Sequence, residues 1–173
     1  MGVLQKKDHR GTLITLEQIE AQELREIARK YGGSFDSEFG IYFSLTTSEN
    51  NLFANNLLRD PVLYESAFIG NVGVFPVTKD DREICGIDNS GIQIEDLMVA
   101  EKFQRQGYAE FLVNEALDWL KNQKISVAYI IAPVFESVCL LDKLKQQNKI
   151  DYEIFSEHKG SNLQLKKSYK LKF

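Results

Sequence analysis

Six consecutive residues, Gln104-Arg105-Gln106-Gly107-Tyr108-Ala109, stand where a strand-like run gives way to a helix-like one. A helix start exposes backbone N–H groups that have no intrahelical partner, and it carries a partial positive charge. Such an end seats phosphate oxygens. Gly107 lacks a Cβ, so its backbone can approach a ligand closely, and Ala109 is small for the same reason. Gln104 and Arg105 can add side-chain donors to a pyrophosphate. Neither the Gly-x-x-x-x-Gly-Lys-Ser/Thr loop of nucleotide triphosphatases nor the Gly-x-Gly-x-x-Gly dinucleotide pattern occurs.

The elements around this segment are the best patterned part of the chain. Ile92 to Val99 reads as a strand. Tyr108 to Asn122 reads as a helix, because Ala109, Leu112, Val113, Ala116, Leu117 and Leu120 recur at steps of three and four. Ile125 to Ala132 is almost continuously apolar, as expected of a strand buried on both faces. Strand, helix, strand in this order predicts a right-handed βαβ unit with parallel strands. A further helix follows near 134–147, with Val134, Val138, Leu141 and Leu144 on one side. The end predicts a hairpin: Tyr152, Ile154 and Phe155 in one strand, Lys159 to Asn162 in the turn, then Leu163, Leu165, Tyr169, Leu171 and Phe173 at odd positions against a wet face of even ones.

The first half is less regular. Residues 15–30 predict a helix, with Thr15 as N-cap, Gln18 three residues on, and Gly32-Gly33 as the stop. Residues 40–46 read as a strand, and 48–59 as a short helix capped by Ser48. From Val62 to Thr78 one or two strands are expected, broken near Gly70-Asn71, with Pro76 at an edge or end. Lys79 to Arg82 and Asp88 to Gly91 read as turns.

The chain has 173 residues, enough for a single domain with one core. Residues 1–90 form its variable half and 91–173 its patterned, ligand-binding half. No run is long and apolar enough to span a bilayer, and no signal-peptide core opens the chain, so no membrane partner is expected. Cys85 and Cys139 are far apart, and His9 and His158 form no ligand cluster. A disulfide scaffold and a metal site are therefore not expected, and a reducing, cytoplasmic setting is. A formal net charge of −4 disfavours nucleic-acid binding and mildly favours a cationic partner. Nothing here fixes the oligomeric state; a homodimer is compatible with it.

The pattern Gln-x-x-Gly-x-Ala, between a strand and an amphipathic helix, resembles the acyl-CoA signature Gln/Arg-x-x-Gly-x-Gly/Ala of the GNAT superfamily of N-acetyltransferases. The run Ile94 to Phe103 resembles the strand and turn that precede that signature. The resemblance is close over residues 92–132 and looser to the C-terminus. It implies an α/β (α+β) fold: a mixed, mostly antiparallel twisted sheet with a central parallel βαβ unit, flanking helices and a C-terminal hairpin. It also implies acetyl-CoA as acyl donor, no metal, and an amine acceptor that the first half would select. By the resemblance, the backbone of Leu97, Met98 and Val99 would pair with pantetheine amides. Amides of Arg105, Gln106, Gly107, Tyr108 and Ala109 would hold the pyrophosphate, and an N–H near Leu97 or Met98 would polarise the thioester carbonyl. The amine would attack directly.

That chemistry needs a neutral amine, hence a base. Glu95 is the first candidate, two residues before Leu97 and so on the same strand face. Asp96 is second; it points with Ile94 and Met98 to the other face unless a bulge intervenes. Either can also be a plain polar residue on an amphipathic strand. The family's usual general acid, a Tyr on the second helix, falls at Leu141, and its Asn at Val134. The thiolate then leaves without a protein acid, or Ser137, Cys139 or a tyrosine elsewhere substitutes, although Cys139 is expected to pack against the sheet. This departure keeps open a non-catalytic acyl-CoA-binding regulator, and a purely structural domain beside it. Tyr108 and Trp119 read as packing. Lys166, Lys167, Lys170 and Lys172 read as charges that protect an edge strand, ahead of a basic strip for an anionic partner. Phe35, Phe39, Tyr42, Phe43 and Phe53 read as core ahead of an acceptor pocket.

Overall fold

The computed structural model of the protein describes residues 2–7, 11–30, 37–47, 67–88, 91–131, 133, 135–159 and 165–173. Strand β1 (Gly2–Lys7) is antiparallel to β2 (Leu13–Glu20), which pairs on its other edge with β3 (Ile41–Thr46). The helix expected over 15–30 is therefore shorter: α1 covers Ala21–Lys30. Thr15 is not an N-cap; it stands opposite Thr46 in the β2–β3 ladder. Leu16 and Ile19 are buried, and from a strand rather than a helix. Pairing on both edges, and the β-branched Ile14, Thr15 and Ile19, favour the pleated form. At the true helix start, Glu23 Oε2 accepts from the Glu20 N–H at 3.3 Å, the return limb of a capping box. The helix expected over 48–59, the stop at Gly32-Gly33, and Phe35 and Phe53 lie outside the described residues. Phe43 is core, Tyr42 is half-buried and Phe39 is exposed.

Strand β4 (Phe68–Pro76) runs unbroken through Gly70-Asn71 and ends on its proline. The stretch after it, expected to be a turn, is a short helix, α2 (Lys79–Cys85). Thr78 caps it, accepting from the Asp81 N–H at 3.2 Å and donating to Asp81 Oδ2 at 2.7 Å. Gly86, with φ of 70°, closes it and donates its N–H to the Arg82 carbonyl at 2.8 Å. The start and stop signals are both present in the sequence around a segment too short to show helical periodicity.

Then follow β5 (Ile92–Val99), α3 (Tyr108–Asn122), β6 (Val127–Ile130), α4 (Phe135–Gln146), β7 (Asp151–Lys159) and β8 (Leu165–Lys172). β5 and β6 are parallel, with Gln93 opposite Tyr129. β6 is shorter than expected and buried only at alternate residues, Ala128 and Ile130. β6 and β7 each pair antiparallel with β8. The hydrogen-bonded order is β1-β2-β3-β4-β5-β6-β8-β7. This is the mixed, mostly antiparallel sheet with one parallel pair, flanking helices and terminal hairpin that the sequence predicted.

β8 is thus an interior strand, and its lysines do not guard an edge. Lys167 pairs with Glu157 at 3.5 Å and Lys172 with Glu153 at 3.4 Å, across to β7. Nor is its even-numbered face wholly wet: Ser168 is buried, with its Oγ 3.6 Å from Cys85 Sγ.

Two compact units make up the chain. One contains residues 1–73 and 96–113, the other residues 74–95 and 114–173. In the second, Leu141 and Leu144 turn α4 inward, while Cys139 lies on the opposite, exposed side and does not pack as expected. The Tyr152 hydroxyl donates to the Asp142 carboxylate, tying β7 to α4. That bond, helped by partial burial, pushes the Tyr152 phenol up to about 12.

Thr78→Ala is expected to cost about 1 kcal/mol, read as a melting temperature lower by about 2–4 °C. A phenol whose folded pKa lies above its ordinary value contributes stability that is complete below about pH 10 and lost as pH rises toward about 12. Denaturant titrations of wild type across that window should show this loss, and Tyr152→Phe should flatten it.

Candidate functional site

The approach to the candidate segment is an irregular strand. Asp96 has φ of 52°, the left-handed region, inside β5. Such a residue interrupts the alternation of a strand. Ile94 is accordingly buried while Met98, four residues on, is exposed, so strand parity does not relate the residues on either side of Asp96. The Asp96 side chain is exposed, and its carbonyl accepts from Asn71 Nδ2 at 2.5 Å. Asn71 is 4% exposed, so the donor side of this brace is buried. Beside it, a Cβ on Gly70 would stand 2.4 Å from the Met98 carbonyl oxygen and 3.2 Å from Leu112 Cδ1. Sequence reasoning took Gly70-Asn71 for a strand break. The pair instead lets β4 lie close to the distorted end of β5 and hold its carbonyl.

Beyond Val99 the Ala100 N–H bonds the Ile69 carbonyl at 2.8 Å, and one 3-10 turn, Glu101–Phe103, follows. Gln104 does not reach outward for a ligand: its Nε2 donates back to the Val99 carbonyl at 3.1 Å. Gln106 does the same toward the Lys102 carbonyl at 3.0 Å. Both glutamines therefore brace the turn. Phe103 and Tyr108 pack edge to face, centroids 6.0 Å apart, and Tyr108 is buried packing as expected.

Between the braces the backbone is left-handed at Arg105 (φ 58°) and again at Gly107 (φ 86°). Alternation between left- and right-handed residues turns successive N–H groups toward one concavity, which suits an anion. Gly107 precedes α3 and its carbonyl accepts the first intrahelical bond, from Phe111, at 3.0 Å. A Cβ added at Gly107 would meet nothing within 4 Å, so this side of the turn is open. Arg105 is exposed and Ala109 half-exposed. The expected stripe of α3 is otherwise buried, from Leu112 to Leu120.

Of the candidate catalytic groups, Glu95 is half-buried and accepts from Gln93 Nε2 at 2.6 Å. Leu141, where a tyrosine was sought, is 1% exposed and belongs to the core. Tyr129 is half-buried, and burial, then the nearby Asp88 carboxylate, raises its phenol above the ordinary value. Among the described residues no group of His, Cys, Asp or Glu is placed to hold a metal ion.

The model of the acetyltransferase (GNAT) family matches residues 21–137, most of the chain. The chain belongs to the acetyltransferase (GNAT) family. No curated protein matches this GNAT sequence. Its fold is that of known acetyltransferases. NAA60 of Arabidopsis thaliana, solved in complex with acetyl-CoA, is 16% identical, with 92% of this chain and 97% of that one covered and a TM-score of 0.53. An IAA acetyltransferase from Bacillus cereus ATCC 14579 is 13% identical, with coverage of 92% and 99% and a TM-score of 0.52. The ribosomal-protein-S18-alanine N-acetyltransferase of Escherichia coli is 12% identical, with 91% of each chain covered and a TM-score of 0.50.

Gly70→Ala should displace the Met98 carbonyl, lowering the melting temperature and weakening acetyl-CoA binding together. Asn71→Ala leaves the Asp96 carbonyl without its donor, at a cost of about 1–3 kcal/mol. Chemical denaturation and calorimetric titration of each variant check both outcomes.

Proposed function

We propose that this protein transfers an acetyl group from acetyl-CoA to a primary amine by direct attack, in a cytoplasmic setting that its free thiols Cys85 and Cys139 suit. The observation that carries this reading is the backbone of residues 105–107: left-handed at Arg105 and Gly107, at the start of α3, with open space beside Gly107. Amides from Arg105 to Ala109 would hold the pyrophosphate. Backbone groups of Leu97, Met98 and Val99 would pair with the pantetheine, as an added strand does. The Val99 carbonyl already accepts from Gln104, and its second lone pair is what remains for a ligand. An N–H near Leu97 or Met98 would polarise the thioester carbonyl.

The chemistry balances with one base. The neutral amine's lone pair forms the C–N bond, the C–S bonding pair leaves on sulfur, and the nitrogen's surplus proton passes to Glu95. The thiolate takes its proton from solvent on release. Asp96, exposed and held by its carbonyl, is the weaker candidate for the base. A second reading, a regulator that binds acyl-CoA without turnover, is favoured by the core packing of Leu141.

Calorimetry should give an acetyl-CoA Kd of about micromolar order for wild type. Gly107→Glu should abolish binding. Gly107→Asn, which tolerates a positive φ, should fold and bind more weakly. A folded wild type that binds no acetyl-CoA would sink the reading. Glu95→Gln should lower kcat by about 10²–10⁴ with the acetyl-CoA Kd unchanged. Binding without turnover across a broad amine panel would favour the regulator.

A further inference from the structure

One face of β5 and β6 carries groups that donor binding does not use. The parallel register sets Gln93 opposite Tyr129, so both side chains leave the sheet on the same face. Gln93 donates to Glu95 Oε2 at 2.6 Å, which brings the Glu95 carboxylate to that face too. On the other side of Tyr129 the antiparallel register places Lys170, and beyond it Glu153. The Tyr129 ring lies against Phe155, centroids 5.2 Å apart and planes inclined by 58°. Both are half-buried and, with Ile131, border the buried cluster of Val77, Cys85 and Ile87. Phe155 is the residue skipped where the β7–β8 register shifts between Ile154 and Ser156. A bulge of this kind re-aims a side chain. At that level β8 offers the small Ser168, which is fully buried. Across the strands the row therefore reads as a carboxylate, the Tyr129 ring, an ammonium and the Glu153 carboxylate, with Phe155 set against the Tyr129 ring. Asp88 adds a further carboxylate whose field reaches Tyr129.

We propose that this face seats the acceptor and selects a primary amine with one positive charge and an apolar body of about the size of an aromatic ring. The inference rests on the acetyl-transfer reading. The ammonium end is drawn to Glu95; it loses one proton to solvent to become the attacking amine, and its second passes to Glu95 as the C–N bond forms. The body lies on Tyr129 and Phe155, where its burial is favourable. Lys170 stands where a longer, doubly charged amine would place its second cation, and like charges there repel. The face thus discriminates by repulsion as well as by fit.

The test is steady-state acetyl transfer from acetyl-CoA to 2-phenylethylamine, butylamine and spermidine, with acetyl-CoA binding measured on each variant. Wild type should favour 2-phenylethylamine over spermidine by about tenfold or more in kcat/KM. Phe155→Ala should lower kcat/KM for 2-phenylethylamine by about 10- to 100-fold, chiefly through KM, with little change in the acetyl-CoA Kd. Phe155→Leu should fall between, and serves if the alanine variant fails to fold. Lys170→Gln should raise kcat/KM for spermidine severalfold and leave 2-phenylethylamine nearly unchanged. The proposal is overturned if wild type binds acetyl-CoA and prefers spermidine, or acetylates none of the three. It is also overturned if the folded Phe155 and Lys170 variants leave the ratio between these amines unmoved. A wild type that does not bind acetyl-CoA overturns the acetyl-transfer reading itself, and this inference with it.

Discussion

The backbone between Asp96 and Gly107 is held in shapes that an L-residue does not adopt freely, and the candidate donor site consists of those shapes. Three positions in this short stretch, Asp96, Arg105 and Gly107, have positive φ. Two of them are not glycine. A left-handed conformation at a non-glycine residue costs roughly 1–2 kcal/mol, so the surrounding contacts must offset it. They are identifiable: Asn71 on the Asp96 carbonyl, Gln104 on the Val99 carbonyl, Gln106 on the Lys102 carbonyl. Each gives a donor to a backbone carbonyl between Asp96 and Lys102. Strain of this kind gathers at binding sites because the shape has to exist before the ligand arrives.

The two glutamines change how the glycine motif is understood. As side chains they look like further donors to a phosphate. In the structure each donates to one of the turn's own carbonyls, so the proposed anion site rests on backbone amides and the exposed Arg105. Such an anion site depends on conformation more than on side-chain charge. This accounts for a motif of few specified positions. Gly107 is needed for its positive φ and for the open space beside it, Ala109 for its size, and Gln104 for reach to Val99.

Much of the second half was legible because its periodicities are long. The fifteen residues of α3 show their buried stripe directly, and a glycine marks its start. The first half hid its strand for a definite reason. In β2 the buried residues include Thr15 and Glu17 as well as Leu16 and Ile19, so no alternation of apolar and polar survives. Leu16 and Ile19 then fall at a spacing that also fits a helix. Only the ladders to β1 and β3, which are contacts distant in sequence, decide between the two. Likewise the lysines of β8 look like an edge, because strand order is not a property of one strand. Asn71 and Gly70 were invisible as parts of the site for the same reason: their partners lie on β5, more than twenty residues away.

The core role of Leu141 bears on which proton transfer the chemistry most needs. A thiol's ordinary pKa is about 8.5 and an alkyl ammonium's about 10.4. The departing thiolate is therefore a weaker base than the amine that replaces it, and it leaves without an acid more readily than an alkoxide would. The amine's proton is the harder one to manage, since near pH 7 most of the amine arrives as ammonium. A carboxylate answers both needs: it attracts the cation, and after one proton has gone to solvent and the amine has attacked, it accepts the second. On the proposed reading Glu95, which already receives a hydrogen bond from Gln93, would be kept in one orientation for that work. Recognition and base catalysis would then fall on the same oxygen atoms. It follows that Glu95→Gln should raise the acceptor's KM as well as lower kcat, whereas loss of a pure base would lower kcat alone. The split between the two constants, measured with a neutral-bodied amine at saturating acetyl-CoA, separates a carboxylate that both binds and deprotonates from one that only deprotonates.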